Sequence, residues 1–127
     1  MNSAIARVVD ASVVAAILFA EPEMDEALRL VEGYALIAPD LLAYEIVNVA
    51  IKKSRRHPES RDLIQAALSK FENLGIKLID VEPSPVYQTA DMSGLTGYDA
   101  AYLWLSQVKQ TELVTFDKRL LQAASAP

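Results

Sequence analysis

Two hydrophobic patterns alternate along the chain. Short apolar runs stop at an acid or a proline, and longer segments carry apolar residues every three or four positions. The short runs are Ile5 to Val9, Ala35 to Ala38 before Pro39, Ile76 to Asp80 and Glu112 to Thr115, and they have the length of buried strands. The longer segments predict helices. Ser12 to Phe19 is almost wholly apolar, and Met24, Ala27, Leu28 and Val31 fall at helical spacing before Gly33. Leu42, Ile46, Val49 and Lys53 trace one stripe of a third helix, with Leu41 and Glu45 alongside. The polar stretch Lys52 to Arg61 is expected to break it, with a turn at His57-Pro58. A fourth helix places Leu63, Ile64, Ala67, Leu68 and Phe71 toward the core and ends near Gly75. A short helix from about Pro85 to Met92 leads past Gly94 and Gly97 into Tyr98 to Val108. Asp117 opens a last helix that runs nearly to Pro127.

Strands separated by helices specify the α/β class, with a central parallel sheet and helices on both faces. The 127 residues suffice for one core and are too few for two, so residues 1–127 are expected to form a single domain. No repeat, low-complexity segment or interdomain linker interrupts the pattern.

Composition narrows the chemistry. Cysteine is absent, which excludes thiol nucleophiles and zinc–thiolate sites and fits a reducing cytoplasm. The net charge of −5 argues against a protein that holds nucleic acid by bulk attraction. The apolar run Ala11 to Ala20 is too short to cross a membrane. It also lacks the basic flank and small-residue cleavage site of a signal peptide, and a buried helix explains it better. The single histidine, His57, lies in a polar turn among Arg55, Arg56 and Arg61, which leaves a histidine-dependent ribonuclease or a Ser-His-Asp hydrolase without its base. Neither Gly-rich phosphate cradle is present.

Four acids stand where elements change or where an apolar face is interrupted: Asp10 in VVDAS, Glu45 in YEIVN, Asp99 in TGYDAAY and Asp117 in VTFDKR. Each has a plain structural explanation. Asp10 and Asp117 suit helix N-caps, and Thr96 with Asp99 makes a capping-box pattern. Glu45 is harder to dismiss, because it lies beside the Leu42, Ile46 and Val49 stripe and a partly buried glutamate needs a partner. Asp10 and Asp117 also fall just past strands, at the sheet edge where α/β proteins bind ligands. No arginine is adjacent in sequence to Asp10, Glu45 or Asp99, and only Lys118 neighbours Asp117. Unpaired charges about 4 Å apart repel by ~4 kcal/mol at an effective dielectric near 20, so a cluster calls for a cation. Oxygen ligands without histidine or cysteine favour magnesium or manganese, and such ions polarise phosphoryl oxygens. Phosphodiester hydrolysis is the matching reaction.

These motifs resemble those of PIN-domain proteins, and in particular the VapC-type ribonuclease toxins of toxin–antitoxin systems. The resemblance rests on VVDAS at the first strand, E-x-x-N at Glu45 and Asn48, YDAAY at Asp99, and T-x-D at Thr115 and Asp117, and it covers nearly the whole chain. It implies a PIN-like three-layer fold in which Asp10, Glu45, Asp99 and Asp117 form an acidic site for Mg2+ or Mn2+. Ser12, Asn48 and Thr115 would take supporting polar positions. It also implies an RNA substrate, a cognate antitoxin and a homodimer; a cytoplasmic location and no membrane partner are expected from the missing cysteine and the short apolar run. PIN domains commonly finish with a fifth strand. Here the chain ends QAASAP, without a β-branched run, so four strands are expected, or an edge completed by another chain.

Two other classes fit less well. A phosphoacceptor domain like response-regulator receivers would use Asp80, with Thr115 and Lys118 in support, but would leave Glu45 and Asp99 idle. A PIN fold retained only as a binding module would not need all four acids. The basic residues Lys52, Lys53, Arg55, Arg56 and Arg61 read as a solvated helix end, since no aromatic residue stands among them. Tyr98, Tyr102 and Trp104 read as core or interface, and Met24 and Leu28 as core packing rather than an antitoxin groove.

Overall fold

A computed structural model describes residues 4–126; the first three residues and Pro127 lie outside it. Four strands, β1 (Ala6–Val9), β2 (Ala35–Pro39), β3 (Lys77–Ile79) and β4 (Glu112–Val114), form one parallel sheet in the order β3-β2-β1-β4. Val8 pairs with Ile37 on one side and with Leu113 on the other, so β1 is an inner strand, and it carries the fully buried Val8 and Val9. No fifth strand follows β4 among the described residues.

Helices α1 (Ala11–Leu18) and α2 (Met24–Val31) connect β1 to β2. Helices α3 (Leu42–Arg56) and α4 (Arg61–Leu68) connect β2 to β3, α5 (Pro83–Ser93) and α6 (Gly97–Lys109) connect β3 to β4, and α7 (Lys118–Ser125) follows β4. The first two crossovers step one way along the sheet. The third steps back across β2 and β1, and with right-handed crossovers this places α5 and α6 on the opposite face from α1 to α4. The result is the three-layer α/β architecture expected from the pattern. The reversal creates a crevice between β1 and β4 at their carboxyl ends, the position where open α/β sheets bind ligands.

Burial follows the periodicity. Leu42, Ile46 and Ala50 form the buried stripe of α3, and α6 is buried continuously from Ala100 to Ser106. Each fully buried Leu, Ile or Val contributes about 1.5–3 kcal/mol relative to exposure.

Helix α3 runs on through Lys52 to Arg56 before the polar stretch breaks it at His57-Pro58 as expected, and Lys53 within it is paired with Glu21 at 2.6 Å and lies over the Phe19 ring. Several local expectations need correction. Helix α4 is shorter than expected. It ends at Leu68, Phe71 falls in the 3-10 turn Phe71–Leu74, and none of its residues is fully buried; Leu63 is 75% exposed. Leu28 is exposed and Met24 half-buried, so only Ala27 of α2 is fully in the core. Trp104 and Tyr102 are buried as expected, whereas Tyr98 is exposed. No helix among the described residues is long and apolar enough to cross a membrane.

Candidate functional site

All four acids lie at the starts of helices that open at the carboxyl edge of the sheet. Asp10 is the N-cap of α1 and Asp117 the N-cap of α7, while Glu45 and Asp99 lie in the first turns of α3 and α6. The backbone dipole therefore presents partial positive charge to each carboxylate, one reason these acids are tolerated there. Capping and clustering are not rival explanations here; the same geometry produces both.

Asp10 is the most enclosed, only 6% exposed. Its Oδ1 accepts hydrogen bonds from the Ser12 amide at 3.1 Å, the Ser12 hydroxyl at 2.7 Å and the Val13 amide at 3.3 Å. Its Oδ2 accepts from the Thr115 hydroxyl. Thr115 Oγ1 accepts in turn from the Asp117 amide at 2.9 Å, and Ser12 Oγ from the Phe116 amide at 2.9 Å. Two hydroxyls thus lock the turn after β4 onto the turn after β1. Asp117 Oδ1 accepts from the Leu120 amide at 2.9 Å, and its exposed carboxylate lies close enough to Asp99 to act on it.

Glu45 is held from the opposite layer: the Tyr102 hydroxyl donates to its Oε1. Tyr102 is 1% exposed and lies one helical turn beyond Asp99 in α6. Burial, followed by the neighbouring Glu45 carboxylate, pushes the Tyr102 phenol far above its usual range, so it stays a neutral donor. Asn48, one turn beyond Glu45, is exposed on the same rim and lines a depression there with Glu45.

Electrostatics tie the acids into one group. Burial raises the Asp10 carboxyl, against the lowering effect of its hydrogen bonds from Thr115, Ser12 and Val13. Burial also raises Glu45; Tyr102 opposes the shift, and the charges of Asp10 and Asp99 add to it. Asp99 is raised by burial and then by Asp117, with Arg119 pulling the other way. Arg119 corrects the expectation that no arginine attends these acids, although it reaches only Asp99. Its guanidinium also donates to the Gly94 carbonyl at 3.1 Å, where Gly94 takes φ +74° to end α5.

The donor set suits a hard cation: all oxygens, half-buried, mutually repelling, and with little protein charge to relieve them. Among the described residues no three acidic or histidine side chains stand within common reach of one ion. A cation here would therefore be held by one or two carboxylates with waters completing its shell, the usual manner for magnesium. Asp80 is exposed at the end of β3, an edge strand separated from β1 by β2, and takes no part in the group.

Sequence reasoning missed Tyr102 and Arg119 as members of this site. Tyr102 carried a signal, since it shares a helix face with Asp99. Arg119 carried another: a cation in the first turn of a helix opposes the dipole and calls for an acidic neighbour.

Comparison with known proteins converges on one family. The sequence matches the PIN domain over residues 7–126. It is 31% identical over 120 residues to Ribonuclease VapC3 of Pyrobaculum aerophilum, spanning 91% of this chain and 92% of that protein. Its structure is similar to the crystal structure of PAE2754 from Pyrobaculum aerophilum, with a TM-score of 0.77, 27% identity and coverage of 95% of this chain and 86% of the other. It also shares its fold with VapC20 of Mycobacterium tuberculosis, a sarcin-ricin loop cleaving toxin, at a TM-score of 0.67 and 15% identity over 95% and 99% of the two chains. A four-stranded parallel sheet with helices between its strands and a sequence match across almost the entire fold place this chain in the PIN-domain family, among the VapC proteins.

Proposed function

We propose that this protein is a divalent-metal-dependent endoribonuclease acting as the toxin of a toxin–antitoxin pair. The observation that carries the reading is that Asp10 and Asp117 cap the helices after β1 and β4, in turns tied together through Ser12 and Thr115, while Tyr102, one turn beyond Asp99, binds Glu45 across the layers. Of Asp10, Glu45, Asp99 and Asp117, one or two would contact Mg2+ or Mn2+ directly and the others would add negative charge around it; the ion when bound supplies positive charge for the phosphoryl oxygens and lowers the pKa of coordinated water. Thr115 and Ser12 orient Asp10, Tyr102 orients Glu45, and Arg119 tempers the charge of Asp99. Asn48 stands on the rim where an RNA strand would enter. The relative named a ribonuclease supports RNA as substrate, and a co-encoded antitoxin as inhibitor, a homodimer and action in the cytoplasm complete the proposal.

Incubating the purified protein with RNA tests this. Cleavage is expected in Mg2+ or Mn2+ and none in chelator; cleavage that persists in chelator would overturn the mechanism. Labelling of Asp80 by acetyl phosphate, lost in Asp80→Asn, would favour a phosphoacceptor instead.

Tyr102→Phe separates orientation from packing. It keeps the buried ring but removes the donor to Glu45, and loss of such a ligand-orienting partner typically costs about 10–100-fold in metal affinity. Mn2+ titration should show that loss with little change in Tm. A lower Tm with unchanged Mn2+ affinity would make the hydroxyl purely structural.

A further inference from the structure

Beside Glu45 the surface opens into a depression of about 420 Å3 lined by Leu41, Tyr44, Glu45, Asn48 and Tyr98. That volume falls within the roughly 300–1,000 Å3 of small-ligand sites. Two tyrosines on its wall are unused by the core: Tyr44 is 77% exposed and Tyr98 67% exposed. They come from different layers, Tyr44 from α3 and Tyr98 from α6, and each immediately precedes one of the clustered acids. A singly exposed aromatic residue needs no explanation. Two that meet at one depression, together with a carboxylate of the acid cluster and an amide, do.

We infer that this depression is a nucleobase subsite, taking one base of single-stranded RNA next to the phosphodiester held at the acids, with Tyr44 and Tyr98 on its face and Asn48 at its edge. The inference deepens the ribonuclease reading and rests on it. A chain of net charge −5 gains little from bulk attraction to a polyanion, and its acids repel phosphate until a cation is bound. Stacking on tyrosine is indifferent to that repulsion, because every base offers an uncharged π-face. Asn48 carries both a donor and an acceptor, enough to pair with a base edge. The continuity of the depression with Glu45 fixes the base as a near neighbour of the reacting phosphate.

The test uses the full chain in Mn2+ and an oligonucleotide identified by its cleavage within a random single-stranded RNA pool. The Tyr44→Ala/Tyr98→Ala double variant should lose about 5- to 150-fold in kcat/KM, the span set by one stacked base. Tyr44→Phe/Tyr98→Phe should restore most of that loss, because the ring does the stacking. Replacing one nucleotide beside the cleavage point with an abasic residue should cost the wild type a similar factor and cost the alanine variant nothing further. Both side chains are exposed, so Tm should hold. Equal kcat/KM in wild type and alanine variant overturns the inference while leaving the ribonuclease intact, as does an abasic penalty that persists undiminished in the alanine variant. Sedimentation showing that the alanine pair dissociates a dimer assigns the patch to a second copy and overturns it too. Failure of the wild type to cut any RNA removes the ribonuclease reading itself, and the subsite with it.

Discussion

Asp10→Asn is expected to abolish metal-dependent RNA cleavage, with a rate loss of roughly 10²–10³-fold or more, the scale of removing one electrostatic stabiliser from a transition state. The reason lies in its bonds. Asp10 Oδ1 already serves three donors, and Oδ2 takes the Thr115 hydroxyl proton. An asparagine can keep the helix cap through its carbonyl, but its amide nitrogen then faces Thr115. The Thr115 hydroxyl, already accepting from the Asp117 amide, would be left without an acceptor for its proton. The substitution therefore removes a charge and unlinks the β4 turn together. Asp99→Asn should be similarly severe. The measurement is single-turnover cleavage in Mn2+, and activity within tenfold of wild type would remove Asp10 from the site.

Saturation with Mn2+ at 100 times its Kd should stabilise the fold by about 2.7 kcal/mol, a rise in Tm of roughly 10 °C for a chain of this size. Proton linkage in the metal-free protein supplies the counterpart. Burial raises Asp10, Glu45 and Asp99 above their ordinary values of 3.8, 4.5 and 3.8, and neighbouring carboxylates add to the shift at Glu45 and Asp99. The folded state thus binds these protons more tightly than the unfolded chain does. Their contribution to stability is complete below the ordinary carboxyl values and is lost as pH rises through the higher folded values. Metal-free Tm should accordingly climb on mild acidification from neutrality, and Mn2+ should matter most at neutral pH. The comparison is a set of melting curves with and without Mn2+ across pH, alongside Asp10→Asn/Glu45→Gln/Asp99→Asn. A triple variant that keeps the wild-type pH slope would place the linkage elsewhere.

Much of this was legible in the residues, for reasons that differ by element. The strands showed because buried parallel strands are short, continuous apolar runs, as Val8 and Val9 illustrate. The acids showed because Asp10 and Asp117 sit where a strand ends and a helix begins. Helix α4 misled because its apolar spacing is real, yet Leu63 points to solvent; periodicity predicts a face without saying what covers it. Lys53 misled in the opposite sense, since its charge suggested a solvated side chain while Glu21 pairs with it in a half-buried contact. Tyr102 and Arg119 depend on contacts between layers, Tyr102 to Glu45 across 57 positions and Arg119 to Gly94 across 25, and local pattern does not carry such pairings.

The Thr115 bond to Asp10 joins residues 105 positions apart. During synthesis the first acid emerges early, but the hydroxyl that orients it and the acid at position 117 leave the ribosome only after β3, α5 and α6 have been made. A nascent chain therefore cannot join the turn after β1 to the turn after β4 until the last strand has been made, and the carboxyl edge of the sheet is among the last parts of the fold to close.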